Sequence, residues 1–190
     1  VVAVGHYLDA LETVHGLPAH GIRVNALITE TPAILLCLGE LVKLAHPRIS
    51  HVMWGGEDLS SALGAGDPRR PDGSWRPLYE QARSQCLLAG HALGTEVIDT
   101  VYVDFRNPEG LRDACHASRH DGFTGRVAIH PDQVPIINEA FTPSAAEREL
   151  AQRIVEAFSS GAGAVSIDGK MYDIPHLKAA QRLLASAEAL

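Results

Sequence analysis

The chain has 190 residues, 46% of them hydrophobic and 21% charged, an ordinary globular composition that rules out a disordered or collagen-like chain and is sufficient for one core. Its 23 acidic and 16 basic residues give a formal charge of −7, and no basic cluster exceeds Arg69-Arg70 with Arg76 nearby. Phosphate backbones are gripped by a concentrated positive face, so a nucleic-acid partner is not expected.

Val4, Leu8, Leu11 and Val14 recur at helical spacing and predict a helix over 1–14, stopped by Gly16 and Pro18. Residues 22–28 (IRVNALI) read as a strand for a buried sheet, ending at Thr29-Glu30-Thr31, and Pro32 opens a helix to about Leu44. A second strand, 51–54, runs into the GGEDL turn and a short helix over 59–63. Residues 64–77 (GAGDPRRPDGSWRP) are punctuated by Gly and Pro and form an irregular excursion after the strand end. A helix over 78–93 follows, then a third strand over 95–103 closing with Asp104. A helix over 111–120 leads to a fourth strand, 123–129, ending in His130, and another helix runs from Pro131 to Ala140. Ser144 with Glu147 has capping-box spacing for a helix over 145–158. Residues 159–163 break the pattern, an Asp168-Gly169 turn joins two β-like runs over 164–172, and an amphipathic helix continues to Leu190.

Helices of this length between strands imply parallel pairing with right-handed crossovers. Each strand delivers a polar residue to its C-terminal end: Glu30, Glu57 or Asp58, Asp104 and His130. A (β/α)8 barrel builds its site there, and a doubly wound open sheet obeys the same rule. The organising stretch is 52–59 (VMWGGEDL), where an apolar strand stops at two glycines and presents two carboxylates. Glu30 and Asp58 are one strand-helix-strand unit apart, so adjacent parallel strands set them side by side, a donor pair suited to Mg²⁺. Taken without any family, each carboxylate also fits a helix cap, and Asp173 before Pro175 reads as an N-cap. Asp168 is a turn residue, and Glu57 points away from Asp58 toward a capping or orienting role.

TETPAIL, MWGGEDLSSALGA, EVIDTVYVDFRNPEGL, GFTGRVAIHPDQVPIINEAFTP and DGKMYDIPHLKAAQ, in this order, resemble the citrate lyase β-subunit and malyl-CoA lyase group of the metal-dependent 2-keto-hydroxyacid aldolases. The resemblance covers nearly the whole chain. It implies a TIM barrel of which this sequence supplies the last four strand-helix units over 1–158, with a hairpin-and-helix lid or tail over 159–190. It implies that the upstream half lies outside this sequence, or that the chain is a truncated barrel. Thr31-Pro32-Ala33-Ile34 departs from the Ala and Gly usual after the family's metal-binding Glu, a change that would reshape the substrate pocket.

The resemblance assigns Mg²⁺ ligation to Glu30 and Asp58 and the general acid/base to Asp173, often delivered into a neighbouring subunit by the tail. It implies an Mg²⁺-dependent carbon-carbon lyase that splits a β-hydroxyacyl thioester, of the citramalyl-CoA, malyl-CoA or citryl type, into an acetyl thioester and a 2-keto acid. Arg69, Arg70 and Arg76 are the candidates to approach the phosphates of coenzyme A. Alternative readings are an aldolase of free 2-keto-hydroxyacids and an inactive barrel fragment used for assembly. A homo-oligomer, a trimer by family analogy, is expected. Cys37, Cys86 and Cys115 lack paired spacing, and no apolar run reaches the roughly 18 to 20 residues of a membrane span. With no signal-peptide pattern at the start, the expectation is a cytoplasmic protein without membrane partners.

Overall fold

Four short parallel strands carry the first part of the molecule. In a computed structural model, which describes residues 1–188, β1 (Val24–Leu27), β2 (Ile49–Met53), β3 (Glu96–Asp99) and β4 (Gly125–Arg126) form one sheet in that order. Every neighbouring pair is parallel and consecutive in the chain. A doubly wound sheet reverses its order at a switch point, whereas a barrel adds each strand beside the last. The observed order is that of a barrel segment.

Helix α1 (Val2–His15) precedes β1 and ends at Gly16, whose φ of 64° is the left-handed cap that glycine adopts without strain. Between the strands lie α2 (Pro32–Leu36), α3 (Leu38–Leu44), α4 (Gly56–Leu63), α5 (Pro77–Leu93) and α6 (Pro108–Asp121). The expected single helix over 32–44 is broken at Cys37, which has a φ of −120°. The break turns Leu38 and Leu41 into the core while Leu36 stays exposed. At the centre of the sheet Val52 and Val97 are fully buried. Helix α5 lies close against them because Gly90 has no side chain; a Cβ there would sit 2.4 Å from Val97 Cγ2 and 2.6 Å from Val52 Cγ2.

The strands are shorter than the apolar runs that predict them. β3 stops at Asp99 rather than near Val103, and β4 keeps two residues of the expected seven. The ladder continues for one bond on each side of β4, from Thr124 N–H to Val97 O and from Val127 N–H to Asp99 O. Beyond it Asp99 and Arg126 bond each other by their side chains, and the chain turns away. Helix α4 starts earlier than expected, so Glu57 and Asp58 occupy its first turn, where the helix dipole favours carboxylates.

At the N-terminal ends of the strands, Arg48 is buried just before β2. It bonds Glu12 of α1 through Nη1 at 2.7 Å and Nη2 at 2.5 Å, reaches Asp9, and donates to Ile22 O. Glu12 also accepts from the backbone N–H groups of His20 and Ile22. The Arg48 bonds, seconded by these amides, hold the Glu12 carboxyl down at about 2 despite burial. This pairing fastens α1 beneath the sheet.

Contacts divide the chain into 1–138 and 139–190, ahead of the division expected at 158/159. The reason is that α8 (Ala145–Ala157) shares its core with the tail. After α7 (Gln133–Phe141), Ala151, Ile154 and Phe158 pack with Ile167 and Ala180. The Ser144–Glu147 capping box is formed in both directions. β5 (Ala164–Ile167) and β6 (Lys170–Asp173) form the expected antiparallel hairpin. Its turn places Asp168 at φ 52° and Gly169 at φ 77°, the double left-handed geometry of a tight hairpin. Arg153 grips Asp168 with two bonds of 2.8 and 2.9 Å. Helix α9 (Ile174–Glu188) follows directly, and the last two residues of the expected helix lie outside the described residues.

Candidate active site

The turns after β1 and β2 are tied together. Buried Thr29 accepts a hydrogen bond from Gly55 N–H at 2.9 Å, and Ile28 N–H donates to Met53 O. These bonds hold the segment bearing Glu30 against the segment bearing Asp58. Gly55 has the extended backbone of an N-cap and carries no capping side chain. A Cβ there would lie 2.4 Å from Asp58 Oδ2 and 3.3 Å from Leu27 Cδ1, so the carboxylate of Asp58 folds back over Gly55 toward the end of β1. Glycine at this position is what makes room for it.

Glu30 is exposed and does not cap α2; Thr31 does that, accepting from Ile34 N–H with Pro32 at the first helical position. Asp58 is exposed as well, and neither carboxylate has a hydrogen bond or ion pair among the described residues. Two carboxylates with free lone pairs, on adjacent strand ends, fit Mg²⁺, which takes one or two such ligands and completes its shell with water or substrate oxygens. No group of three or more His, Cys, Asp or Glu with metal-binding placement occurs among the described residues, so the set does not match a zinc cage.

Beneath these turns lies a polar network that the sequence reading did not single out. Asp99, at the end of β3, is 2% exposed and accepts from Trp54 Nε1 at 2.5 Å, Ser118 Oγ at 2.5 Å and Thr100 N–H at 2.8 Å. Arg126 and Arg83 donate to its Oδ2 at 2.9 and 3.1 Å. Burial pushes this carboxyl up, but the two guanidiniums and the hydrogen bonds more than offset it and hold it below the usual carboxylate range. Trp54 is the residue before Gly55, so Asp99 anchors the start of the carboxylate-bearing turn.

The excursion after α4 folds down on the same turn. Trp75 meets Trp54 edge-on with ring centroids 4.8 Å apart, and a Cβ on Gly56 would lie 2.8 Å from the Trp75 ring. Arg69 stacks over Trp75 at 3.6 Å and donates to Gly73 O. Arg70 bonds Ser74 Oγ and Trp75 O, while Arg76 donates to Asp67 O. All three guanidiniums thus brace the loop. Arg69 is half-buried; burial lowers its pKa, and Glu57 is the first of the charges to oppose this.

Asp104 is exposed, and Asn107 rather than Asp104 caps α6. His130 stacks on Phe105 at 4.9 Å and lies 3.5 Å from Asp132. Cys86 and Cys115 are buried, and burial pushes the Cys86 thiol up to about 12, which makes it inert as a nucleophile. In the 139–190 unit, Asp173 is the last residue of β6 and bonds His176 Nδ1 at 2.5 Å.

The first unit is thus a segment of a β/α barrel with a carboxylate pair at its C-terminal strand ends. Residues 24–190 match the C-C_Bond_Lyase family of the TIM-Barrel fold, and the chain belongs to that family. It is 41% identical over 150 residues to a (3S)-malyl-CoA thioesterase of Cereibacter sphaeroides, covering 77% of this chain and 51% of that protein. It is 36% identical over 160 residues to the citrate lyase subunit beta-like protein of Mycobacterium tuberculosis, covering 84% and 58%. A solved structure of the CitE protein from M. tuberculosis, in complex with magnesium, acetoacetate and coenzyme A, superposes with a TM-score of 0.74 at 33% identity, covering 95% of this chain and 65% of that one. The chain therefore spans about half the length of the curated relatives it matches.

Proposed function

We propose that the protein is an Mg²⁺-dependent carbon-carbon lyase that cleaves a β-hydroxyacyl-CoA, of the citramalyl-CoA or malyl-CoA type, into an acetyl thioester and a 2-keto acid. The observation that carries this is the tie between the Glu30 and Asp58 segments, made by Thr29 and Gly55, in a chain of the C-C bond lyase family. Among its relatives is a citramalyl-CoA lyase of Mus musculus, and CitE is seen with magnesium, acetoacetate and coenzyme A.

In this reading Glu30 and Asp58 would hold Mg²⁺, which would supply Lewis-acid stabilisation of the negative charge that develops in the reaction. Asp99 and the Trp54–Trp75 contact keep the Asp58 turn in place and exclude water from beneath it. Asp173 moves the proton between the substrate hydroxyl or the enolate carbon and solvent. Arg69, Arg70 and Arg76 line an ordered loop with positive charge, and we assign it the phosphate end of coenzyme A. We also assign the protein to the cytoplasm, as a homotrimer. Two buried cysteines without a disulfide partner support that compartment.

Thioester hydrolysis is a second reading, favoured by the 41% identity to the malyl-CoA thioesterase. Turnover of (S)-citramalyl-CoA and malyl-CoA with and without Mg²⁺, with product analysis, tests both. Acetyl-CoA plus pyruvate or glyoxylate means cleavage. Free coenzyme A with the intact acid means hydrolysis, and metal-independent or absent turnover overturns the proposal.

A further inference from the structure

Asp173 does not stand alone at the end of β6. His176, in the first turn of α9, sets its Nδ1 2.5 Å from Asp173 Oδ1. The same Nδ1 also faces the backbone N–H of Asp173 at 3.3 Å. These two neighbours call for opposite states of one nitrogen: the N–H donor needs its lone pair, and a carboxylate needs a proton on it. With the carboxyl protonated, neutral Nδ1 accepts from the acid; with the carboxyl ionised, Nδ1–H donates to it. One proton therefore has a hydrogen-bonded position on either side of the contact. Tyr172 meets the imidazole edge-on, centroids 5.5 Å apart at 82°, which fixes the ring's orientation. Both side chains of the pair are about half exposed, and the structure shows no protein partner for His176 Nε2 among the described residues, so water reaches it.

We propose that His176 is the positioning and proton-relay partner of Asp173, carrying protons between that carboxyl and solvent. The inference rests on the acid–base role assigned to Asp173 above. Uptake of the substrate hydroxyl proton converts Asp173 to the acid, which donates to the Nδ1 lone pair of the Nε2–H tautomer; the proton moves to Nδ1 while Nε2–H releases one to solvent, leaving a carboxylate that accepts from Nδ1–H. Before the enolate is protonated the path runs back: Nε2 takes a proton from solvent and the Nδ1 proton returns to the carboxylate. The Asp173 O–H bond then breaks as the C–H bond forms. The ring is neutral after each transfer, one proton has left and one has entered, and the Nε2–H tautomer, whose Nδ1 accepts from the Asp173 N–H, is restored.

The test uses the full-length protein with His176→Ala, His176→Asn and Asp173→Asn, assayed on (S)-citramalyl-CoA with Mg²⁺. His176→Ala is expected to lower kcat about 100-fold, within the range of a lost acid–base partner, with KM nearly unchanged and with partial rescue by free imidazole. His176→Asn serves as the folded control if the alanine variant is unstable, and imidazole is expected to restore it less. In ¹⁵N spectra of histidine-labelled protein, Asp173→Asn is expected to shift the His176 Nδ1 resonance. Wild-type turnover in His176→Ala and His176→Asn, or no imidazole rescue of a folded His176→Ala, overturns the relay while an inactive Asp173→Asn preserves the acid–base assignment. An active Asp173→Asn overturns both, and an unmoved Nδ1 resonance overturns the contact itself.

Discussion

At the N-terminal ends of the strands Glu12 is buried, bonded by Arg48 and by two backbone N–H groups, whereas at the C-terminal ends Glu30 and Asp58 are exposed and free of any such bond among the described residues. The same side-chain chemistry thus serves opposite ends of one sheet. A carboxylate whose lone pairs are all engaged holds the fold together and has nothing left for a ligand. One that is left unpaired adds little to stability but keeps its oxygens available, and the difference is bridged by Asp99. That residue is as buried as Glu12, yet it sits at the C-terminal end and spends its bonds on Trp54, fixing the turn from which Asp58 projects.

The sharpest way to test that division is at its exposed end. Asp58→Ala is expected to reduce Mg²⁺-dependent turnover by about 10² to 10³-fold, since a metal contributes several kcal/mol of charge stabilisation at about 1.4 kcal/mol per decade. Calorimetric Mg²⁺ binding falls with it. Because the side chain is exposed, unfolding stability changes by no more than about 0.5 kcal/mol. A large loss of stability alongside the loss of turnover would show that Asp58 belongs to the fold rather than to the site.

Asp99→Ala is expected to act the other way round. It leaves Arg126 and Arg83 without their shared carboxylate and Trp54 Nε1 without an acceptor, and breaking a buried pair from one side costs about 3–5 kcal/mol. Urea unfolding followed by tryptophan fluorescence is the suitable probe, because both tryptophans, Trp54 and Trp75, lie in this unit. Unchanged stability would mean that the network is filled by water and does not anchor the turn.

Acid unfolding probes the N-terminal end by pH. The Glu12 carboxyl lies at about 2 in the folded protein against an ordinary value of 4.5, so the unfolded chain binds more protons between those limits. The stability Glu12 contributes is present above about pH 4.5, declines as the pH falls and is gone below about 2. Glu12→Gln is expected to lower stability at neutral pH and to flatten the decline between pH 5 and 2, as read from urea midpoints by tryptophan fluorescence.

Much of this was legible in the sequence, for identifiable reasons. Pro32 at a helix start and Gly16, Gly64 and Gly94 at helix ends mark boundaries because their backbone preferences are local, whereas α6 opens at Pro108, three residues ahead of the expected start at 111. The Asp168-Gly169 turn and the Ser144 capping box are local in the same sense. Strand lengths were not legible, because the ends of β3 and β4 are set by side chains from different strands and helices bonding one another. The same holds for the site's foundation. Asp99 in an apolar run and Arg126 at the start of the next are each visible, but their pairing through Ser118 and with Trp54 depends on the folded sheet. A charged residue inside each of two consecutive predicted strands, with opposite signs, was the available signal.

Thr29 is the least conspicuous of these contacts and gives the smallest expected effect. Thr29→Val keeps the shape and β-branching but removes the acceptor for Gly55 N–H, leaving a buried donor without its partner at a cost of about 1–3 kcal/mol. Thr29→Ser retains the oxygen and should recover most of that. If the bond matters to the site and not only to the fold, Thr29→Val also weakens Mg²⁺ binding, because the segments carrying Glu30 and Asp58 lose the tie between them, while Thr29→Ser does not. Equal Mg²⁺ affinity in the two variants would mean that the β1–β2 ladder alone sets the spacing of the carboxylates.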